Sequence, residues 1–342
     1  VSNNGNVRSV AVLGGGSFGT AIANMVADNG HRVQMWLRDK ELIARIKESG
    51  ENSNYLPGYR LNPSIRFTDV LEQACTQTDI IFLAIPSKAF RSVLRQIKPF
   101  ITKDQTLIST AKGIESEHFM LMSQVIEQEL QTTNIGVLSG PNLALEIAQR
   151  KPTATVIASK NQTVIKDIQS LLSQSYFRVY GNDDVFGVEL GGALKNIYAI
   201  AAGMADALGM GENTKAMLIT RSLAEMSRMA AKLGGNPSTF LGLSGVGDLV
   251  VTCSSPLSRN YQLGYLLGQG YSLDRASAEL KQTVEGINTV KLVRDKAKEI
   301  QLYMPLVSAL YAILFEQKEL KTVITDLMMS EYADDVEFTA TF

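Results

Sequence analysis

Lys195 is the single charge in an otherwise uncharged run, LGGALKNIYAIAAGMA, over residues 190–205. Burial disfavours an ammonium and lowers a lysine pKa, so an amine held there can exchange a proton near neutral pH, which is general acid/base chemistry. Snorkelling to water past its apolar neighbours is the other use of the same side chain. Asp248 follows two glycines in GVGDLVV, a close-approach turn that presents a carboxylate to a ligand or caps its own backbone. Residues 254–260, SSPLSRN, read as a helix start, with Ser254 or Ser255 near the cap, Pro256 at the first helical position, and Ser258, Arg259 and Asn260 in the first turns. Free amides, a guanidinium and polar side chains suit a phosphate there, and plain helix capping would use them too. Lys112, in AKG after the β-rich run 106–110, places a cation at a strand end. It suits a polarised carbonyl or an anion, or lies exposed in a turn.

A further chemistry needs almost no side chains. Gly14, Gly16 and Gly19 form G-x-G-x-x-G between the apolar run 9–13 and the helical run TAIANMVADNG. The first glycine permits a tight turn, the second lets backbone approach a pyrophosphate, and the third lets helix pack on strand. Ser17 and Phe18 would lie beside the phosphates, where the helix N-terminus favours negative charge. The pattern fits a nicotinamide dinucleotide, although a ligand-free strand-to-helix turn carries the same glycines. After the next β-rich run come Arg38 and Asp39. Arg38 suits the 2′-phosphate of NADPH, the favoured cofactor, while Asp39 keeps NAD open.

These residues need a frame that delivers them. β-rich runs at 9–13, 33–37, 80–85, 106–110, 135–139 and 153–158 alternate with helical patterns such as 20–28, 40–49 and 68–75, the last capped by Thr68. That alternation predicts parallel strands joined by crossover helices in a Rossmann-type doubly wound α/β sheet. Residues beyond the strand ends, Pro86-Ser87, Ala111-Lys112-Gly113 and Gly140-Pro141-Asn142, should share one crevice. From residue 187 helices take over, at 187–208, 214–233, 259–267 and 284–300, with a further one at 306–319 after Pro305. The expected division is a dinucleotide-binding domain over 1–186 and a mainly α-helical substrate-binding and catalytic domain over 187–342. The acidic end, 330–342, reads as mobile.

Composition narrows the function. Lysine plus arginine (33) nearly balances aspartate plus glutamate (34), so no global field draws the chain to nucleic acid or an anionic membrane. Cys75 and Cys253, the two cysteines, lie far apart in unrelated contexts, which fits a reducing compartment and suggests neither a disulfide framework nor a metal site. The opening VSNNGNVRSVAVLGGG lacks a signal-peptide pattern, and no uninterrupted apolar run approaches the roughly 20 residues of a membrane span. A cytoplasmic protein without stable membrane insertion is expected. His31 and His118 read as ordinary loop residues, which disfavours a histidine acid/base.

GGGSFG, AKGIE, SGPN, ALKNIYAIAAGMADALGMGENT, GVGDL, SRN and TVEG occur in this order, and together they resemble NAD(P)-dependent glycerol-3-phosphate dehydrogenase of the bacterial type across nearly the whole chain. The resemblance implies interconversion of dihydroxyacetone phosphate and sn-glycerol 3-phosphate for phospholipid synthesis, in a homodimer. It implies Lys195 as the acid/base, Lys112 as the group that holds and polarises substrate, and Asp248 as the orienting carboxylate. Cofactor contacts carried over are Ser17, Phe18, Arg38, Lys112, Ala144, Arg259, Thr283 and Glu285. Substrate contacts carried over are Gly140, Asn142, Ser258, Arg259 and Asn260. The family often has Ser or Thr at the position of Asn142 and Val at that of Thr283. Two other readings stay open: a β-hydroxyacid dehydrogenase acting on a carboxylate with the same lysine chemistry, and a dinucleotide-sensing module without catalysis.

Overall fold

The structure is a computed structural model that describes residues 7–280 and 284–329. The chain divides into two compact units, Val1–Glu189 and Leu190–Phe342. Thr283 and the stretch 330–342 lie outside the described residues.

The first unit runs β1 (Ser9–Leu13), α1 (Ser17–Asp28), β2 (Arg32–Trp36), α2 (Lys40–Ser49), β3 (Arg66–Thr68), α3 (Leu71–Cys75), β4 (Ile80–Leu83), α4 (Ser87–Ile97) and β5 (Thr106–Ser109). A small hairpin, β6 (Ile114–Glu115) and β7 (Met120–Leu121), precedes α5 (Met122–Leu130), β8 (Ile135–Ser139), α6 (Ala144–Ala148), β9 (Thr153–Ala158), α7 (Gln162–Leu172) and β10 (Phe177–Asn182). The main sheet has the order β10-β9-β8-β5-β4-β1-β2-β3. From β3 to β8 every pairing is parallel, which is the doubly wound arrangement. Strand order reverses between β1 and β4, where such sheets open a ligand crevice beyond the strands' carboxyl ends. Side chains alternate across β1. Val10 and Val12 pack with Ile22 and Met25 of α1 and Ile168 of α7, whereas Ala11 and Leu13 pack with Phe90 of α4 and Val125 of α5. Helices therefore cover both faces.

The first unit departs from two local expectations. β9 occupies 153–158 as expected but pairs antiparallel with β8. The connection between them carries only the five-residue α6, whereas the crossovers joining the parallel neighbours β1 to β2 and β4 to β5 carry the longer helices α1 and α4. Thr68 does not cap a helix over 68–75; it ends β3, its hydroxyl accepts from Val70 N at 3.0 Å, and α3 begins at Leu71. β3 has three residues, too short for a period to show, and β10 alternates buried and exposed positions at the sheet edge.

The second unit is helical: α8 (Val185–Ala207), whose course crosses the division between units, then α9 (Gly211–Lys232), α10 (Asp248–Ser254), α11 (Arg259–Gly268), α12 (Leu273–Leu280), α13 (Glu285–Glu299), α14 (Pro305–Phe315) and α15 (Leu320–Met328). α8 is long and apolar enough to cross a membrane, with a mean hydropathy of 1.2, but 83% of that window is buried inside the protein. The helix expected over 187–208 is found within two residues at its start and one at its end, and Glu189 and Lys195 interrupt its apolar run. The segment 306–319 is not one helix: α14 stops at Phe315, Gln317 adopts φ +55°, and Lys318 N bonds back to Ala312 O at 3.1 Å, a left-handed stop. α8 and α11 touch backbone to backbone. A Cβ on Gly203 would run into the Tyr261 carbonyl, and one on Gly264 into the Ile200 carbonyl.

Each unit also holds a buried glutamate that caps a helix from outside. α5 and α14 follow Leu121 and Met304, which offer no side-chain oxygen. Glu189 accepts from Ser123 N at 3.0 Å and Ser123 Oγ at 2.5 Å, and Glu225 accepts from Leu306 N at 2.6 Å and from the Tyr198 hydroxyl at 3.2 Å. These bonds satisfy orphan donors of the first helical turn. Burial nonetheless pushes both carboxyls up to about 7.

Candidate functional site

In the first unit the functional surface is mostly backbone. Gly14 sits at φ +121° with its N–H on Trp36 O at 3.0 Å, and a Cβ there would strike the Ala84 carbonyl at the end of β4. A Cβ on Gly19 would strike the Gly14 carbonyl, while one on Gly16 would meet nothing within 4 Å. Two glycines thus close the turn, and the third leaves open space at the start of α1. That helix start carries no side-chain cap and no acidic residue in its first turn, so its amides suit a diphosphate. The residues present fit a dinucleotide. Ser17 Oγ donates to Tyr55 O at 2.6 Å, leaving its backbone for a ligand, and Phe18 packs against the sheet core.

Beyond β2, Arg38 is exposed. Asp39 is occupied locally: it N-caps α2 by accepting from Leu42 N at 3.0 Å. At the ends of β5 and β8, Lys112 Nζ donates to Gly140 O at 2.9 Å, which brings the AKG and SGPN segments together. Asn142 Nδ2 donates to Thr155 Oγ1 at 2.8 Å, and its buried Oδ1 has no partner among the described residues. Ala144 is the first residue of α6. His31 Nδ1 accepts from Arg8 N at 3.2 Å, and its pKa is lowered by burial and then by the Arg8 charge. His118 is exposed on the β6–β7 hairpin.

The second unit builds its site from side chains. Lys195 is 6% exposed and Asp248 1%, so the lysine does not snorkel. Its Nζ donates to the Asp248 carboxylate and, at 2.6 Å, to Thr252 Oγ1, while the Thr252 hydroxyl donates to the Asp248 backbone carbonyl at 2.5 Å. A buried charge pair of this kind persists only where hydrogen bonds support it. Asp248 does not sit in an open glycine turn, as GVGDL suggested. Leu243–Gly247 winds into a π-helical turn, and Asp248 is the first residue of α10; single π turns recur at functional sites. Next to this pair, burial pushes the Cys253 thiol up to about 12, against a smaller opposing pull from Lys195.

SSPLSRN is also rearranged. α10 ends at Ser254, Pro256 lies in the intervening turn, and α11 starts at Arg259 with Ser258 as its N-cap, Oγ accepting from Tyr261 N at 3.3 Å. A proline just past a helix end cannot continue the helix, which is the role Pro256 takes here. Arg259 is exposed at that helix start, and Glu285 is the first residue of α13. Asn260 is buried as a tie: its Nδ2 donates to Asn196 Oδ1 at 2.9 Å and its Oδ1 accepts from Gly286 N at 3.0 Å. Chain neighbours thus divide the work. Asn196, Asn260 and Gly286 lock α8, α11 and α13 together, which fixes where Lys195, Arg259 and Glu285 start. Thr252 and Asn196 were missed in the sequence. Their signals were the four-residue spacing from Asp248 and a second polar residue in the apolar run of α8.

Two protein-family models match the chain in tandem: NAD-dependent glycerol-3-phosphate dehydrogenase N-terminus over residues 9–165, and the corresponding C-terminus over residues 184–325. Among curated relatives, a glycerol-3-phosphate dehydrogenase (NAD(P)+) of Alcanivorax borkumensis is 55% identical over 331 residues, covering 97% of this chain and 96% of its own. One from Teredinibacter turnerae is 53% identical over 97% of this chain and 98% of its own. Among solved structures, glycerol-3-phosphate dehydrogenase from Coxiella burnetii superposes with a TM-score of 0.90 at 35% identity, covering 95% of this chain and 99% of that one.

Proposed function

This chain belongs to the NAD-dependent glycerol-3-phosphate dehydrogenase family, and from that premise we propose that it interconverts dihydroxyacetone phosphate and sn-glycerol 3-phosphate, with NADPH favoured over NADH. The reduction adds a hydride to the C2 carbon of the ketone and a proton to its oxygen. When bound, the reduced nicotinamide supplies the hydride. Lys195 supplies the proton from Nζ to the C2 oxygen, and takes it back when the alcohol is oxidised. Asp248 and Thr252 hold that Nζ in place. Lys112 holds and polarises the ketone, and Arg259, with Ser258 and Asn260 at the start of α11, takes the substrate phosphate.

The observation that carries this reading is Lys195, buried and bonded to Asp248 and Thr252. A sensing module needs dinucleotide affinity but no such proton donor. We assign dinucleotide binding to residues 1–186 and substrate binding and turnover to 187–342. The preference for NADPH is supported by exposed Arg38 and by the capping role that occupies Asp39. A homodimer is carried with the family reading, and a cytoplasmic location is supported by two separate, buried free cysteines. The product would feed glycerophospholipid synthesis.

Oxidation of NADPH on addition of dihydroxyacetone phosphate tests cofactor, substrate and reaction together. Turnover at ordinary enzymatic rates is the expected result. Activity on a hydroxy carboxylate but none on glycerol 3-phosphate would overturn the substrate assignment.

A further inference from the structure

The segment between α2 and β3 lies along α1 as a strap. It contacts a polar stripe, Thr20, Asn24 and Asp28, whose four-residue spacing puts all three on one side of the helix. Asn62 N donates to Asn24 Oδ1 at 2.6 Å and Asn62 Nδ2 to Asp28 Oδ1 at 2.8 Å. The strap closes on itself through Leu61 N to Gly50 O at 2.8 Å and Leu56 N to Asn52 O at 2.8 Å. At its upper end Asn52 is 0% exposed, and its Nδ2 donates to Gly15 O at 2.9 Å and to Thr20 Oγ1 at 2.8 Å.

A carbonyl can only accept, so the amide nitrogen must face Gly15. Asn52 Oδ1 is buried with no hydrogen-bond partner among the described residues. Leaving an amide oxygen unsatisfied is costly, so the side chain is kept here for its donors. The peptide joining Gly15 to Gly16 is planar and trans, as no cis bond occurs among the described residues. In a trans peptide the C=O and the following N–H point in opposite directions. Fixing Gly15 O under the turn therefore aims the Gly16 N–H away from Asn52, to the other side of the turn.

We infer that Asn52 is a positioning residue for dinucleotide binding: it orients the Gly15–Gly16 peptide so that the Gly16 N–H meets the diphosphate. The inference rests on the dinucleotide reading of the first unit. Asn52 acts through the backbone and touches no reacting atom, so its loss weakens cofactor affinity and leaves the proton chemistry of Lys195 alone. Thr20 is the graded comparison: its hydroxyl accepts from the same amide at 2.8 Å and makes only a long contact, 3.4 Å, to the same Gly15 carbonyl.

Fluorescence titration with NADPH, paired with steady-state kinetics, is the test. Asn52→Ala should raise the NADPH Kd about tenfold, the loss of one well-placed hydrogen bond, with kcat at saturating NADPH and KM for dihydroxyacetone phosphate unchanged. Thr20→Val, which removes only the longer contact to Gly15 O, should lower Tm and raise the NADPH Kd by clearly less than Asn52→Ala does. Should Asn52→Ala fail to fold, Asn52→Asp keeps the size, cannot donate while ionised, and should lose more affinity. NADPH affinity like that of the wild type in either Asn52 variant, or an equal loss in Thr20→Val, overturns the inference. Wild-type protein that does not bind NADPH overturns the dinucleotide reading instead.

Discussion

The two units make their chemistry from different parts of the chain. At the glycine turn of the first unit, the groups that would meet a ligand are backbone amides at the start of α1, and the side chains around them close the turn or pin it from beneath. At Lys195 in the second unit, three buried side chains from two helices meet, and the backbone serves to bring α8 and α11 within glycine distance. A backbone site is cheap in residues and general in ligand: any diphosphate can use it. A buried side-chain site must satisfy every polar group it encloses. It is therefore restricted to the chemistry those groups share, and in the proposed reaction it carries the specificity.

Two variants probe this contrast from opposite sides. Arg38 is the side chain expected to add selectivity to the backbone-built site. Arg38→Ala should lower kcat/KM for NADPH about tenfold, the worth of a charge-assisted hydrogen bond, and leave NADH within about twofold. Equal losses with both cofactors would remove Arg38 from 2′-phosphate recognition. An effect on stability, not on cofactor choice, is expected from Glu225, whose carboxyl ionises near 7 in the folded chain and near 4.5 when unfolded. The folded state holds its proton longer, so this group costs nothing below about pH 4.5 and lowers stability as pH rises to 7, by about 3 kcal/mol in all. Glu225→Gln should flatten the fall of Tm between pH 5 and 8. Part of the fall should remain, since Glu189 of the first unit titrates in the same range. An unchanged slope would show that Glu225 does not carry it.

The same contrast explains how far the sequence could be read. Strands β1, β8 and β9 fall on the predicted residues, because short β-branched runs bounded by glycine and polar residues leave few other options. The direction of β9 was not legible, since period-2 alternation is the same for either orientation. Lys195 announced itself as one charge among alanines and glycines. Its partner Thr252 did not, because a threonine in VVTCSS looks like any other until helix α10 sets it one turn from Asp248. Asn52 was invisible for a similar reason: its bond to Gly15 spans 37 residues. The helical pattern over 259–267 placed the start of α11 correctly, whereas the cap reading of SSPLSRN set it three residues early, because Pro256 fits the beginning of a helix as well as the turn after one.

In the proposed reaction Lys195 performs the proton transfer while the glycine turn of the first unit holds the cofactor. Lys195→Ala tests it most directly, with NADPH binding and turnover of dihydroxyacetone phosphate measured on the same preparation. An NADPH Kd within about twofold of wild type and a kcat lower by roughly two or more orders of magnitude are expected. Near-normal turnover, with binding retained, would contradict that role of Lys195.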